Sequence, residues 1–260
     1  MTLRPSPLLV ACALFTLSAA CTRKTPAVEA ERSASVETRT GHRNEYVLAD
    51  DVSVHQLAPG VWRHVTVVDT ERFGRVYTNG LIVEDGETSL LVDTGWDARQ
   101  GALLLSWARD TLRRPVRAAV VTHYHTDRLG GVPALVPHGI PVHGLEETAR
   151  IAAALDLPGP SETFTESQSM GPLELFFPGA GHAKDNVVVW HRESGVLFGG
   201  CFVKDATSKD LGNLEDADVG AWPASLQRVR QRFPEARVVI PGHGQPGGPE
   251  LLSHTEALLR

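Results

Sequence analysis

The sequence predicts an α/β protein built as an αββα sandwich, with two βα halves, their sheets face to face and helices outside. Three observations carry that expectation. Clusters of short β-rich runs give way to amphipathic helical stretches, and this succession occurs twice along the chain. The run 116–122 (VRAAVVT) is apolar enough to be a strand buried inside the protein. The chain has 260 residues, 42% hydrophobic and 22% charged, which suits a substantial core within one compact domain.

Structured sequence begins near Glu45. The runs 52–57, 61–68, 78–84 and 89–93 read as strands, separated by turns such as Ala58-Pro59-Gly60 and Glu84-Asp85-Gly86. Residues 69–75 (DTERFGR) form a polar hairpin tip around Phe73 and Gly74. Asp97 can cap a helix running to about Leu112, with Leu103, Leu104, Trp107 and Leu112 towards one side. After the buried strand 116–122, helical stretches at 129–136 and 146–155 flank a short strand at Val142. The second half offers strands at 173–177, 187–191 and 195–200, a helix over 222–233, a strand at 238–240 and a closing helix near Arg260. Trp107, Trp190 and Trp222 read as core anchors.

The N-terminus follows another plan. Arg4 precedes an apolar run at 8–17, then come Ser18-Ala19-Ala20 and Cys21, the layout of a bacterial export signal over residues 1–20. Either the chain is cut near Ala20, or Cys21 is lipidated as the first mature residue. Both imply a periplasmic protein, in the second case anchored to the outer membrane. Residues 21–43 are polar and aperiodic and read as a tether, leaving 44–260 as the domain. The 25 Lys and Arg against 31 Asp and Glu give a net charge of −6, which argues against nucleic acid or anionic membrane as a general partner. No later apolar stretch is long enough to span a bilayer. No exposed apolar stripe stands out, so a monomer is the expectation.

Cys201 is the one cysteine of the expected folded part, so no internal disulfide can form. A lone thiol in an exported protein is open to oxidation. Its presence is explained either by a metal thiolate or by a small buried apolar side chain.

The strand 116–122 runs into His123-Tyr124-His125-Thr126-Asp127. Alternate residues of an extended segment point the same way, so two imidazoles and a carboxylate can face one cleft. Such groups are zinc ligands. Three further candidates adjoin glycines at strand ends: His182 in GAGH, Cys201 after Gly199-Gly200, and His243 in PGHG. Six ligands suffice for two zinc ions with a position open for water. His42, His55, His64, His138, His143, His191 and His254 match no ligand position and read as structural or exposed.

In this order, VDTGW (92–96), THYHTDRLGG (122–131), GHAKDNVVVW (181–190), GGCFVK (199–204), LGN (211–213) and PGHG (241–244) resemble the metallo-beta-lactamase superfamily over about residues 45–260. Relatives with the HxHxDH run carry a second histidine where this chain has Arg128. Together with Cys201 and His123, that makes the pattern similar to class B, subclass B1, the true β-lactamases.

The resemblance implies the αββα fold of that superfamily. It further implies one zinc ion on His123, His125 and His182, and a second on Asp127, Cys201 and His243. The implied reaction is hydrolysis of the β-lactam amide of penicillins, cephalosporins and carbapenems by zinc-activated hydroxide, which Asp127 also orients. Lys204 is implied to pair with the substrate carboxylate and Asn213 to hold the carbonyl, although a solvated lysine and an ordinary loop asparagine are alternative readings. Asp93 is either a carboxylate that orients the ligands or a plain turn former. Arg128 either compensates charge near Cys201 or forms a surface ion pair. Phe73 is either the apolar contact of a loop over substrate or a turn-edge residue. Two other functions remain open: a hydrolase of esters, thioesters or lactones on the same scaffold, and a non-catalytic zinc-binding envelope protein.

Overall fold

The computed structural model describes residues 44–260. The expected export signal, the tether and Cys21 lie outside the described residues.

The first sheet holds β1 (Glu45–Ala49), β2 (Val52–Ala58), β3 (Val61–Thr70), β4 (Gly74–Asp85), β5 (Thr88–Val92), β6 (Val116–Val120), β7 (Val142–Leu145) and β8 (Glu162–Phe164), in that spatial order. The second holds β9 (Ser167–Met170), β10 (Leu173–Phe176), β11 (Val188–His191), β12 (Val196–Gly200) and β13 (Val238–Pro241), in the order β13-β12-β11-β10-β9. The helices are α1 (Ala98–Asp110), α2 (Thr126–Leu129), α3 (Glu146–Ala154), α4 (Trp222–Arg232) and α5 (Glu250–Leu258).

Strand alternation sorts the apolar residues into three layers. From β5, Leu90 and Val92 enter the layer between the sheets with Leu175, Val189, Phe198 and Ile240, while Leu91 turns outward to Leu104 and Trp107 of α1. From β11 and β12, Trp190 and Leu197 turn outward to Trp222, Leu226 and Val229 of α4. The expected sandwich is therefore present, and all three tryptophans sit in the core. Both central regions are covered on two faces, which is why their strands read as nearly continuous apolar runs.

The differences from expectation have local causes. The stretch 129–136 is not one helix: after α2, two 3-10 turns occupy Val132–Ala134 and Val136–His138. Pro133 and Pro137 lack the N–H that a continuing α-helix needs. The β3–β4 hairpin is longer than its apolar pattern, since the two strands stay paired as far as Thr70 and Gly74. Its tip, 71–73, is held by the Thr70 hydroxyl, which donates to Gly74 O at 3.1 Å and accepts from Phe73 N at 3.0 Å. Strands β1, β8 and β9 were not expected as strands. Among the described residues no helix is long and apolar enough to cross a membrane.

Candidate metal centre

Six side chains converge where strands end. His123 and His125 follow β6, Asp127 sits in the first turn of α2, His182 lies between β10 and β11, Cys201 follows β12 and His243 follows β13. They form two triplets, His123/His125/His182 and Asp127/Cys201/His243, each with its donor atoms within 4.8 Å of one another. The HxHxD run is thus not extended throughout: the chain turns into α2 after His125, which sends Asp127 to the second triplet.

Close backbone approach brings the second triplet together. Gly242 donates its N–H to Gly200 O at 2.6 Å, and a Cβ there would stand 2.5 Å from Cys201 N and 2.7 Å from its sulfur. Only glycine fits.

In the first triplet, Nδ1 of His125 faces Nε2 of His123 at 3.0 Å and Nε2 of His182 at 3.3 Å. The outer Nε2 of His125 donates to Asp216 Oδ2 at 3.0 Å, which leaves Nδ1 as a bare lone pair inside the cluster. Burial pushes the His123 and His182 rings well below the usual imidazole range, so both are neutral. In the second triplet, His243 Nε2 lies 3.2 Å from Cys201 Sγ and 3.5 Å from Asp127 Oδ2. Its Nδ1 donates to Tyr77 O at 2.9 Å, again freeing the inward nitrogen. Burial lowers the His243 pKa to about 4.

Arg128, fully buried, ties the set together. Its guanidinium donates to Cys201 Sγ at 2.7 Å, Asp127 Oδ2 at 2.9 Å, Asp93 Oδ2 at 3.0 Å and Asn79 O at 2.7 Å. Of its two readings, charge compensation holds and the surface ion pair does not. Burial pushes the Cys201 thiol up to about 12 against the pull of Arg128. A dication beside it would add to that pull and release the proton. Neutral imidazoles with inward lone pairs, a carboxylate and a cation-flanked thiol form a donor set that fits zinc.

Asp93 is more than a turn former. It is buried with φ +58°, a conformation costly for a residue with a Cβ. Its carboxylate accepts from Thr122 N at 2.8 Å and Thr122 Oγ1 at 3.0 Å besides Arg128, so it fixes the peptide leading into His123. Asp185, which the sequence did not single out, accepts from Tyr124 N at 2.9 Å and Thr148 Oγ1 at 2.8 Å and pins the link between His123 and His125.

A cavity of about 710 Å³ opens over the triplets. His125, Asp127, His182, Cys201 and His243 line its floor, with His123 buried beneath. Lys204 and Asn213 also line it, as do Phe73 and Arg72 of the hairpin tip. Lys204 Nζ lies 5.6 Å from the Trp222 ring, and its backbone N–H donates to Thr255 Oγ1 at 2.9 Å. Asn213 Oδ1 accepts from Glu215 N at 3.3 Å.

A family model described as the metallo-beta-lactamase superfamily matches residues 73–243. The chain belongs to the metallo-beta-lactamase superfamily. A Bacteroides fragilis protein named metallo-beta-lactamase type 2 is 38% identical over 216 residues, covering 82% of this chain and 87% of that protein. A solved metallo-beta-lactamase from Pontibacter korlensis is 43% identical with a TM-score of 0.76, over 80% of this chain and 98% of that one. The mono-zinc form of FIM-1 from Pseudomonas aeruginosa is 40% identical with a TM-score of 0.78, over 82% and 97%. Within the superfamily the chain falls in the B1 branch of metallo-beta-lactamases, in agreement with its Asp127/Cys201/His243 triplet.

This metallo-beta-lactamase chain presents a His cluster fit to hold a metal ion where its strands end. Asp216 and Asp185 are the functional candidates that the sequence did not reveal. Each is a single acid far along the chain from the histidine loop it holds.

Proposed function

We propose that the chain hydrolyses the amide of β-lactam antibiotics and so confers resistance to them. Two zinc ions would serve the reaction, one held by His123, His125 and His182 and the other by Asp127, Cys201 and His243. One observation carries the reading: two complete donor triplets lie side by side beneath a single cavity. When bound, zinc supplies an acidified water and polarises the carbonyl.

The chain's own groups do the rest. Lys204, held by burial and by the Trp222 face, pairs with the carboxylate on the ring fused to the lactam. Asn213 at the rim helps hold the lactam carbonyl, and Phe73 covers the apolar side of the substrate. Asp127 orients the attacking water, while Arg128 keeps its carboxylate charged. No serine nucleophile is required. The export pattern before Cys21 supports action in the periplasm, where β-lactams reach their targets.

The test is absorbance-monitored ring opening of a cephalosporin and a carbapenem by purified protein, with chelator and then with zinc restored. Hydrolysis abolished by chelator and recovered with about two zinc ions per chain is the expected result. Two bound ions without ring opening would overturn the substrate assignment. Mass measurement of the mature N-terminus tests export and distinguishes a lipidated from a free chain.

A further inference from the structure

A second cleft of about 560 Å³, lined in part by His243, runs between strands β2–β4 and the turn after β13. His55, Arg63, Arg75, Tyr77, Gln245 and His243 are among its polar lining residues, and none of its lining residues is acidic. Arg63 is its centre. Among the described residues no carboxylate lies within ion-pair distance of this guanidinium. Its one side-chain contact is a long one, Nη1 to Gln245 Oε1 at 3.5 Å. Its Nε is buried without any partner.

The neighbouring Arg75 is already matched, to Asp69 at 3.4 Å, while Glu45 contacts His55 at 3.7 Å and acts on Arg63 only from beyond contact distance. Arg63 therefore has no carboxylate in contact at a partly desolvated position, an arrangement that an anion in the cleft would complete. The lining also holds the Tyr77 hydroxyl and the Gln245 amide, whose Oε1 faces Arg63.

We infer that this cleft is a binding site for a small oxyanion, a carboxylate or a phosphate, gripped by the Arg63 fork. A planar guanidinium with a free edge takes such groups two oxygens at a time, and the volume suits a small molecule. The site needs only Arg63 and the cleft, so it stands or falls separately from the hydrolytic reading.

The experiment is thermal melting of the zinc-loaded protein with inorganic phosphate, and separately with acetate, at constant ionic strength. A melting temperature that rises with either anion in the wild type and in Lys204→Ala, with affinity weakened about tenfold or more in Arg63→Gln, is the expected result. Which anion acts identifies the source. Arg63→Lys, which keeps the charge and loses the fork, should fall between. The Arg63 Nε–H resonance of the wild type should shift with the same dependence, a readout that needs no variant. Ring-opening rates measured without added anion should be unchanged in Arg63→Gln. Absence of any shift with both anions, or a shift lost in Lys204→Ala and retained in Arg63→Gln, would overturn the site.

Discussion

Asp216 holds the His125 ring by its outer nitrogen, with Oδ2 accepting from Nε2 at 3.0 Å, while the inner Nδ1 faces the other two histidines of the first triplet. This carboxylate fixes both tautomer and ring plane, and it makes the inner nitrogen a better donor. Against the upward push of burial, the Tyr124 hydroxyl and the His125 ring hold the Asp216 carboxyl below its usual range. Asp216→Asn should lower metal affinity at the first triplet by about 10- to 100-fold and leave folding intact. Competition with a chromophoric chelator measures this. Unchanged affinity at that site would mean that the ring is held by its packing alone.

Arg128 sets the charge balance of the second triplet, contacting Asp93, Asp127 and Cys201 from one buried guanidinium. Arg128→Met would leave two buried carboxylates without their cation. Such losses cost about 3–5 kcal/mol, or roughly 6–20 °C in Tm for a domain of this size. The loss should be larger in chelator than in zinc, because a bound dication replaces part of the missing charge. Melting curves under both conditions provide the check, and equal losses would show that Arg128 acts through packing.

The way Asp216 escaped detection explains what a sequence makes legible. The HxHxD run announces itself because its spacing is local, and the glycines beside His182, Cys201 and His243 mark strand-end loops. Asp216 lies 91 residues from its partner, in a loop shared with Asp210, Glu215 and Asp218, and no spacing rule selects one of these acids. The strands show the same division. The central strands are covered on both faces and read as apolar runs. The overlooked β1, β8 and β9 are all sheet edges. An edge strand needs little apolar pattern of its own, because its single neighbour supplies the hydrogen bonds; SQSM in β9 is an example.

Across the cavity mouth, Arg72 of the hairpin tip pairs with Glu215 at 2.6 Å, and the same guanidinium lies 4.9 Å from the Phe73 centroid. Both partners are about two-thirds exposed, at 60% and 66%, so the pair contributes about 0–1 kcal/mol. That is weak enough to open for substrate and strong enough to bias the closed position of Phe73. Arg72→Glu should raise KM for a bulky cephalosporin by roughly two- to five-fold with little change in kcat. The double exchange Arg72→Glu with Glu215→Arg should restore it. A double variant no better than the sum of its parts would remove the coupling.

His64 gives the fold a specific acid sensitivity. Its ring is fully buried on β3, with Nε2 at 3.1 Å from both Val92 O and Asp93 O. Burial lowers its pKa from 6.5 to about 4. Between those values the unfolded chain takes up a proton that the folded chain refuses. Stability from this group is therefore complete above pH 6.5 and is lost as pH falls through 4, by an amount on the order of 3 kcal/mol. Asp93 works the other way: burial raises its pKa to about 6, so its protonation favours the fold in the same window. The contribution of His64 must thus be read as a difference. His64→Gln, which keeps a donor for the two carbonyls, should lose less stability than the wild type between pH 7 and pH 4 in urea titrations, with chelator present so that metal release does not contribute. Parallel pH profiles would mean that the ring takes up its proton alike in the folded and unfolded chain, its two carbonyl contacts balancing the cost of burying the charge.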